Sequence, residues 1–125
     1  MTGSRENKFS ISGRLRSFAY AFNGLKHTIR SQHNFRIHLA AGLVVVVCGL
    51  VARLTATEWC IVVLAMGLVI SLEVLNTAIE KLVDVVSPGY AKEAGLVKDI
   101  AAGAVLVAAI AAVIAGGIIF IPKLF

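Results

Sequence analysis

Residues 100–121 read IAAGAVLVAAIAAVIAGGIIFI, an uninterrupted stretch without one charged side chain. At about 1.5 Å per residue, a helix of this length rises roughly 33 Å, enough to cross the ~30 Å hydrocarbon core of a bilayer with some tilt. Upstream, residues 39–52 (LAAGLVVVVCGLVA) are also uncharged and predict a first span over about 37–54. A further apolar run begins near Trp59, an aromatic suited to the membrane interface, and predicts a second span over about 59–79. Arg53 to Glu58 is then a six-residue hairpin between the first two spans. Ser87, Pro88 and Gly89 end the polar turns after the second, because proline lacks the amide hydrogen a helix needs.

The whole chain fits this reading. Of its 125 residues 58% are hydrophobic and 15% charged, with a mean hydropathy of +0.88. Soluble domains average roughly 45–50% apolar residues, and a chain this short cannot bury the excess. Composition therefore excludes a disordered segment and argues against a water-soluble globule. Two cysteines and three histidines do not make a disulfide scaffold or a Cys/His zinc site. Cys48 and Cys60 lie in apolar runs and read as small hydrophobes.

Seven of the twelve Lys and Arg (Arg5, Lys8, Arg14, Arg16, Lys26, Arg30, Arg36) precede residue 39, with Glu6 as the one acid there. A basic block beside apolar spans reads as a cytoplasmic flank near anionic headgroups, not as a nucleic-acid surface. Orientation follows: N-terminus cytoplasmic, C-terminus outside. The polar stretch is too long for a secretory signal, so no cleavage is expected. Within it, Ile11, Leu15, Phe18, Phe22, Leu25 and Ile29 fall within about 80° of arc on a helix, which predicts an amphipathic interfacial helix over about 9–30. Tyr20 lies opposite that stripe. The fold class expected is all-α: one interfacial helix plus three membrane spans in a single domain, 1–125. Ala104, Ala108, Ala112 and Gly116 recur every four residues and predict close helix packing, with the neighbour possible in another subunit of an oligomer.

The chemistry concentrates in EVLNTAIEKLVD, residues 73–84. On a helix, Glu73, Asn76, Glu80 and Asp84 fall within about 80° of one another and descend roughly 16 Å. A solvated face accounts for Glu80 and Asp84, but a carboxylate inside an apolar span costs at least a few kcal/mol unless paired, protonated or used. Aligned carboxylates at a membrane surface suit Mg2+, which keeps several waters and usually arrives with a phosphate. Lys98 could balance nucleotide phosphates with Lys81, Lys92 and the basic helix; Asp99 enters the third span beside it. No phosphate-binding glycine loop occurs, so any phosphate site must be built from helix side chains. His27, His33 and His38 read as interfacial polar residues rather than a ligand set.

EVLNTAIEKLVD at 73–84 and KDIAAGAVL at 98–106, supported by NFRIHL at 34–39 and YAFNGL at 20–25, resemble the small prokaryotic diacylglycerol kinases, a family that includes undecaprenol kinases. The resemblance covers nearly the whole chain. It implies a homotrimer of three-span subunits in the bacterial inner membrane that transfers the γ-phosphate of MgATP to a lipid hydroxyl. It makes Glu73 the catalytic base, Asn76 a positioning group and Glu80 a metal ligand. It puts Lys98, Asp99 and Asp84 at the nucleotide, with Tyr20 and Tyr90 as aromatics near it, and Phe35 and Arg36 in the segment bordering the lipid. Many relatives carry a second metal-binding glutamate where this chain has Gln32, whose amide oxygen brings no charge to the metal. Undecaprenol is slightly favoured over diacylglycerol as acceptor.

Two other readings use the same residues. A small transporter or proton-conducting oligomer would need Glu73 as an intramembrane relay, but has no evident use for Lys98, Asp99 and the outer carboxylates. A non-catalytic membrane scaffold would rest on the small-residue repeat alone.

Overall fold

The computed structural model describes residues 9–125. Arg5, Glu6 and Lys8 of the basic block lie outside the described residues. Four helices carry almost all of the rest: α1 (Ile11–Ser31), α2 (His33–Ala52), α3 (Ala56–Val86) and α4 (Lys92–Leu124). No strand occurs among the described residues. By length and composition α2, α3 and α4 can each cross a membrane. The all-α expectation and the three spans are therefore met, and the protein is a multi-pass membrane protein.

Ser10 starts α1 by accepting a hydrogen bond from the Gly13 amide at 3.0 Å. The six residues of the apolar stripe are all exposed, since none of the described residues packs over them. An apolar face left bare on a helix beside three spans is one that lipid would cover. The helix ends at Gln32, whose extended backbone (φ −114°, ψ 111°) is the single residue separating α1 from α2. Its amide still donates to the Thr28 carbonyl at 2.9 Å, closing α1, while its side chain makes no capping bond to the first turn of α2.

Helix ends differ from the expected span ends in all three spans, α4 running Lys92–Leu124 against 100–121 so that Lys98 and Asp99 are helical. α2 begins at His33 rather than near 37, because the polar turns flanking a span are helical too. The expected six-residue hairpin shrinks to Arg53, Leu54 and Thr55. Arg53 adopts a left-handed conformation (φ 55°, ψ 59°) and Leu54 donates back to the Gly49 carbonyl at 3.2 Å, closing α2. Thr55 and Glu58 then form a capping box, Glu58 N–H to Thr55 Oγ1 at 3.2 Å and Thr55 N–H to Glu58 Oε1 at 3.0 Å, which draws Ala56 to Glu58 into α3. At the other end α3 continues as one 31-residue helix to Val86 before Ser87 and Pro88 stop it. Its length, about 46 Å, exceeds the bilayer core and carries its last turns into the polar region.

The packing register departs from the small-residue repeat. On α4 a seam of buried or half-buried positions steps through Ala101, Val105, Ala108, Ala112, Ala115 and Ile119 by fours and threes, with Gly103, Ala109, Gly116, Gly117 and Phe120 half-buried beside it; of the expected repeat only Ala104 is exposed. A strict four-residue repeat drifts about 40° per step around a 3.6-residue helix, whereas a 3.5-residue seam keeps facing its partner. α3 has the matching seam: Val62, Met66, Val69, Glu73, Asn76, Glu80 and Val83. The two helices pack along each other, with α2 against α3. At the end remote from α1, Leu54, Val62 and Ile119 form a small core with Trp59, Met66 and Phe120, and Lys123 pairs with Glu58 at 3.1 Å.

Glycines let α2 approach this core. A β-carbon at Gly49 would stand 2.7 Å from the Trp59 ring and 3.0 Å from Leu54, whereas one at Gly24, in α1, would meet nothing within 4 Å. Gly49→Val should therefore destabilise the bundle by about 1–3 kcal/mol, and Gly24→Ala should be neutral or stabilising. Thermal melts of the two variants in detergent check this contrast.

Candidate functional site

The seam of α3 changes character along its length. Val62, Met66 and Val69 are apolar; Glu73, Asn76 and Glu80 continue the same seam with polar groups. The 3.5-residue period that packs the helix thus also aims the carboxylates inward. Each step of the polar stripe meets a different element.

Glu73 is the deepest, 4% exposed, and its Oε1 lies 3.2 Å from Nε2 of His38 on α2. One turn on, Asn76 donates to Glu80 Oε1 at 3.3 Å, and Gln32, at the break between α1 and α2, donates to Glu80 Oε2 at 3.4 Å. Asn76 is 8% exposed, and its Oδ1 is buried with no hydrogen-bond partner. An orphaned buried acceptor is costly, so this oxygen is poised to take a donor from outside the chain. Thr77 is satisfied internally through the Glu73 carbonyl at 2.9 Å. One turn past Glu80, Asp84 accepts from Lys98 of α4 at 2.6 Å. Lys98 precedes the uncharged stretch of α4 and lies outside the membrane-crossing segment; its hydrogen bond to Asp84 holds the ammonium above the ordinary lysine pKa.

Two grooves flank the stripe. A polar one of about 380 Å³ runs between the end of α1 and α3, lined by His27, Gln32, Thr77, Glu80, Lys81 and Asp84 among others. Lys81 Nζ stands 3.3 Å from His27 Nε2 at its edge. An apolar groove of about 250 Å³ lies between α2, α3 and α4; Gly42, Val45, Met66, Val69 and Ala112 line it, with His38 at the end nearest Glu73. The polar groove suits a charged, hydrated ligand and the apolar one an aliphatic chain. Glu73 lines neither, but its partner His38 closes one and Glu80, two turns along, borders the other.

The structure thus brings together Glu73, Asn76, Glu80, Asp84, Lys98 and Gln32 along one stripe. It does not bring in the others. Tyr20 (72% exposed) and Tyr90 (99%) stand in the open, and Asp99 is exposed, with no hydrogen bond from any of the three to the stripe among the described residues. Arg36 is exposed on α2, whereas Phe35 is 2% exposed, the most deeply buried large side chain among the described residues. Its burial makes Phe35 a packing residue in this subunit rather than a surface open to lipid. His38, expected to be an ordinary interfacial polar residue, is instead the partner of the deepest carboxylate. The signal was available: Glu73 needs a partner at its own depth, and His38 is the last imidazole or charged side chain of α2 before its apolar stretch.

A multi-pass helical protein whose carboxylates line a seam between a polar and an apolar groove is built to handle a charged ligand and a membrane-borne one together. Comparison with known proteins defines which kind. Residues 19–120 match the family model described as prokaryotic diacylglycerol kinase. An undecaprenol kinase of Bacillus subtilis (strain 168) is 40% identical over 121 residues, covering 97% of this chain and 98% of that protein. A diacylglycerol kinase of Synechocystis sp. is 43% identical over 122 residues, 96% of this chain and 70% of that one. The diacylglycerol kinase of Escherichia coli (strain K12) is 32% identical over 100 residues, 80% of this chain and 82% of its own. The chain belongs to the prokaryotic diacylglycerol kinase family. It is a lipid kinase, a phosphotransferase with an alcohol acceptor.

The Asp84–Lys98 pair is largely exposed, and such pairs add little to stability. Asp84→Asn should therefore shift thermal stability in detergent only slightly, so that a large loss of activity in the variant reports on ligand handling rather than folding.

Proposed function

We propose that the protein transfers the γ-phosphate of MgATP to the hydroxyl of a membrane lipid alcohol at the cytoplasmic face of the inner membrane, with undecaprenol preferred over diacylglycerol. The observation that carries this reading is the position of Glu73: a buried carboxylate within a span, one helical turn from a buried amide with an unpaired oxygen and two turns from a carboxylate bordering a polar groove. The near end-to-end match to a relative named undecaprenol kinase supports the acceptor.

In this reading Glu73 is the general base. As the lipid oxygen forms its bond to the γ-phosphorus and the bond to the ADP oxygen breaks, the hydroxyl proton passes to the Glu73 carboxylate. Asn76 orients the reacting groups, its free Oδ1 taking a hydrogen bond. Lys98, steered by Asp84, and Lys81 in the polar groove face the nucleotide phosphates, with Asp99, Tyr20 and Tyr90 at the periphery of the nucleotide and Arg36 toward the lipid. Such a site needs no glycine loop, because phosphate transfer depends chiefly on positioning and on charge stabilisation. The oligomer is a homotrimer with cytoplasmic N-termini, each chain a single domain.

Among the described residues no three His, Cys, Asp or Glu side chains converge on a point. What does converge is the Glu80 carboxylate with the side-chain amides of Gln32 and Asn76, whose nitrogens donate to it; each amide also carries a hard oxygen, and that of Asn76 lacks a partner. This set fits Mg2+, which is content with one carboxylate, a few neutral oxygens and water. Glu80 and Gln32 would hold it, and it would neutralise charge on the transferring phosphate.

Two expectations follow from these roles. Glu73→Gln, which keeps size and a hydrogen-bond acceptor, should lower phosphate transfer to undecaprenol at least about 100-fold while the oligomer stays assembled on size exclusion; full activity would remove Glu73 as the base. Gln32→Glu puts a second carboxylate beside Glu80, which repels without metal and binds with it. This variant should melt lower than the parent in EDTA, and its half-saturating Mg2+ should fall by roughly threefold or more.

A further inference from the structure

Three features outside the stripe compete for meaning. The Lys123–Glu58 pair ties helix ends at the far side and has no ligand-like vacancy, and the Lys81–His27 contact belongs to the polar groove already described. The His38–Glu73 contact is different, since it joins the deepest carboxylate to another helix and to the end of the apolar groove.

From this geometry we infer that His38 is a positioning residue for phosphate transfer: its Nε2–H donates to Glu73 Oε1, fixing the carboxylate's rotamer and leaving Oε2 to face the acceptor hydroxyl. The inference rests on Glu73 acting as the base. Four observations support it. The separation is 3.2 Å, within hydrogen-bond range for a charge-assisted contact. The Glu73 side chain is 5% exposed, so water cannot take over the role if the imidazole is removed. Among the described residues His38 makes the one polar contact of the Glu73 carboxylate, and so is the side chain that holds its torsions. Finally, the imidazole is 28% exposed and is the one titratable side chain lining the apolar groove, which puts it where an aliphatic alcohol would end in its hydroxyl.

The neutral imidazole suffices for this role. With Nε2 carrying the hydrogen, Nδ1 is left as an acceptor. No proton changes hands between His38 and Glu73 during transfer. A carboxylate free to rotate would spend much of its time misaligned, and misplacement of a reacting group by about 1 Å costs on the order of 100-fold in rate. The loss therefore falls on kcat rather than on ATP binding, because His38 lies outside the polar groove.

The test uses the full-length protein reconstituted in bilayers. His38→Leu keeps bulk without a donor, His38→Gln keeps a donor, and His33→Ala, at an exposed neighbouring histidine, is the control. Expected are a fall in kcat of roughly tenfold or more for His38→Leu, an ATP KM within about twofold of the parent, substantial recovery in His38→Gln, and no change for His33→Ala. Equal kcat for His38→Leu and the parent would overturn the inference, as would equal losses for the Leu and Gln variants. Nitrogen NMR of 15N-histidine-labelled protein supplies a readout independent of turnover: the His38 Nε2 resonance should move in Glu73→Ala. An unmoved resonance would overturn the contact whatever the kinetics. A parent protein inactive on every lipid alcohol would instead strike the kinase reading, leaving the contact to be judged by the resonance alone.

Discussion

A carboxylate in the middle of a membrane-spanning seam is the feature around which the rest is arranged. An unpaired carboxylate removed from water is penalised by several kcal/mol, and a lone partner offsets that only with good geometry. Here Glu73 is shielded from lipid by the packing of α3 and met by His38 from α2. The glycines of α2 belong to the same arrangement. Gly42 and Gly49 lie on the face that approaches α3, where a β-carbon at Gly42 would meet Met66 at 2.8 Å. Close approach of α2 is what lets a side chain as short as histidine reach the seam.

The rest of the site follows from one helix acting as a graduated scale. α3 runs unbroken from the capping box at Thr55 to Ser87, so its seam passes from hydrocarbon to the polar boundary without a loop. At each graduation a different element answers it: His38 of α2 at Glu73, Gln32 of the α1–α2 break at Glu80, and Lys98 of α4 at Asp84. An enzyme that joins a membrane-borne alcohol to a water-borne phosphate donor must work across that gradient. A continuous helix crossing the boundary provides the gradient directly, which explains how so short a chain serves as a lipid kinase without a phosphate-binding loop.

Much of this was legible in the sequence because it depends on periodicity and charge. The four helices, the apolar stripe of α1, the stop at Ser87–Pro88 and the common face of residues 73–84 all follow from spacing. What escaped depends on pairing between elements. Ala104 was grouped with Ala108 and Ala112 by a four-residue repeat, but the 3.5-residue seam of α4 turns it outward. The Arg53–Glu58 hairpin was drawn too long because a capping box adds its last residues to the helix. His38 went unrecognised because no local pattern marks it, and only the depth of Glu73 on another helix gives it a role. The nucleotide roles expected of Tyr20, Tyr90 and Asp99 rest on the family resemblance, and within one subunit all three side chains are exposed.

The most direct test of the central claim is acceptor-resolved phosphate transfer. Purified protein in bilayers is given ATP labelled at the γ-phosphorus, Mg2+, and either undecaprenol or diacylglycerol, and the organic-soluble label is followed with time. The account expects label in both lipids, with faster initial transfer to undecaprenol. Absence of label from either lipid, with the helical fold and oligomer intact, would contradict it.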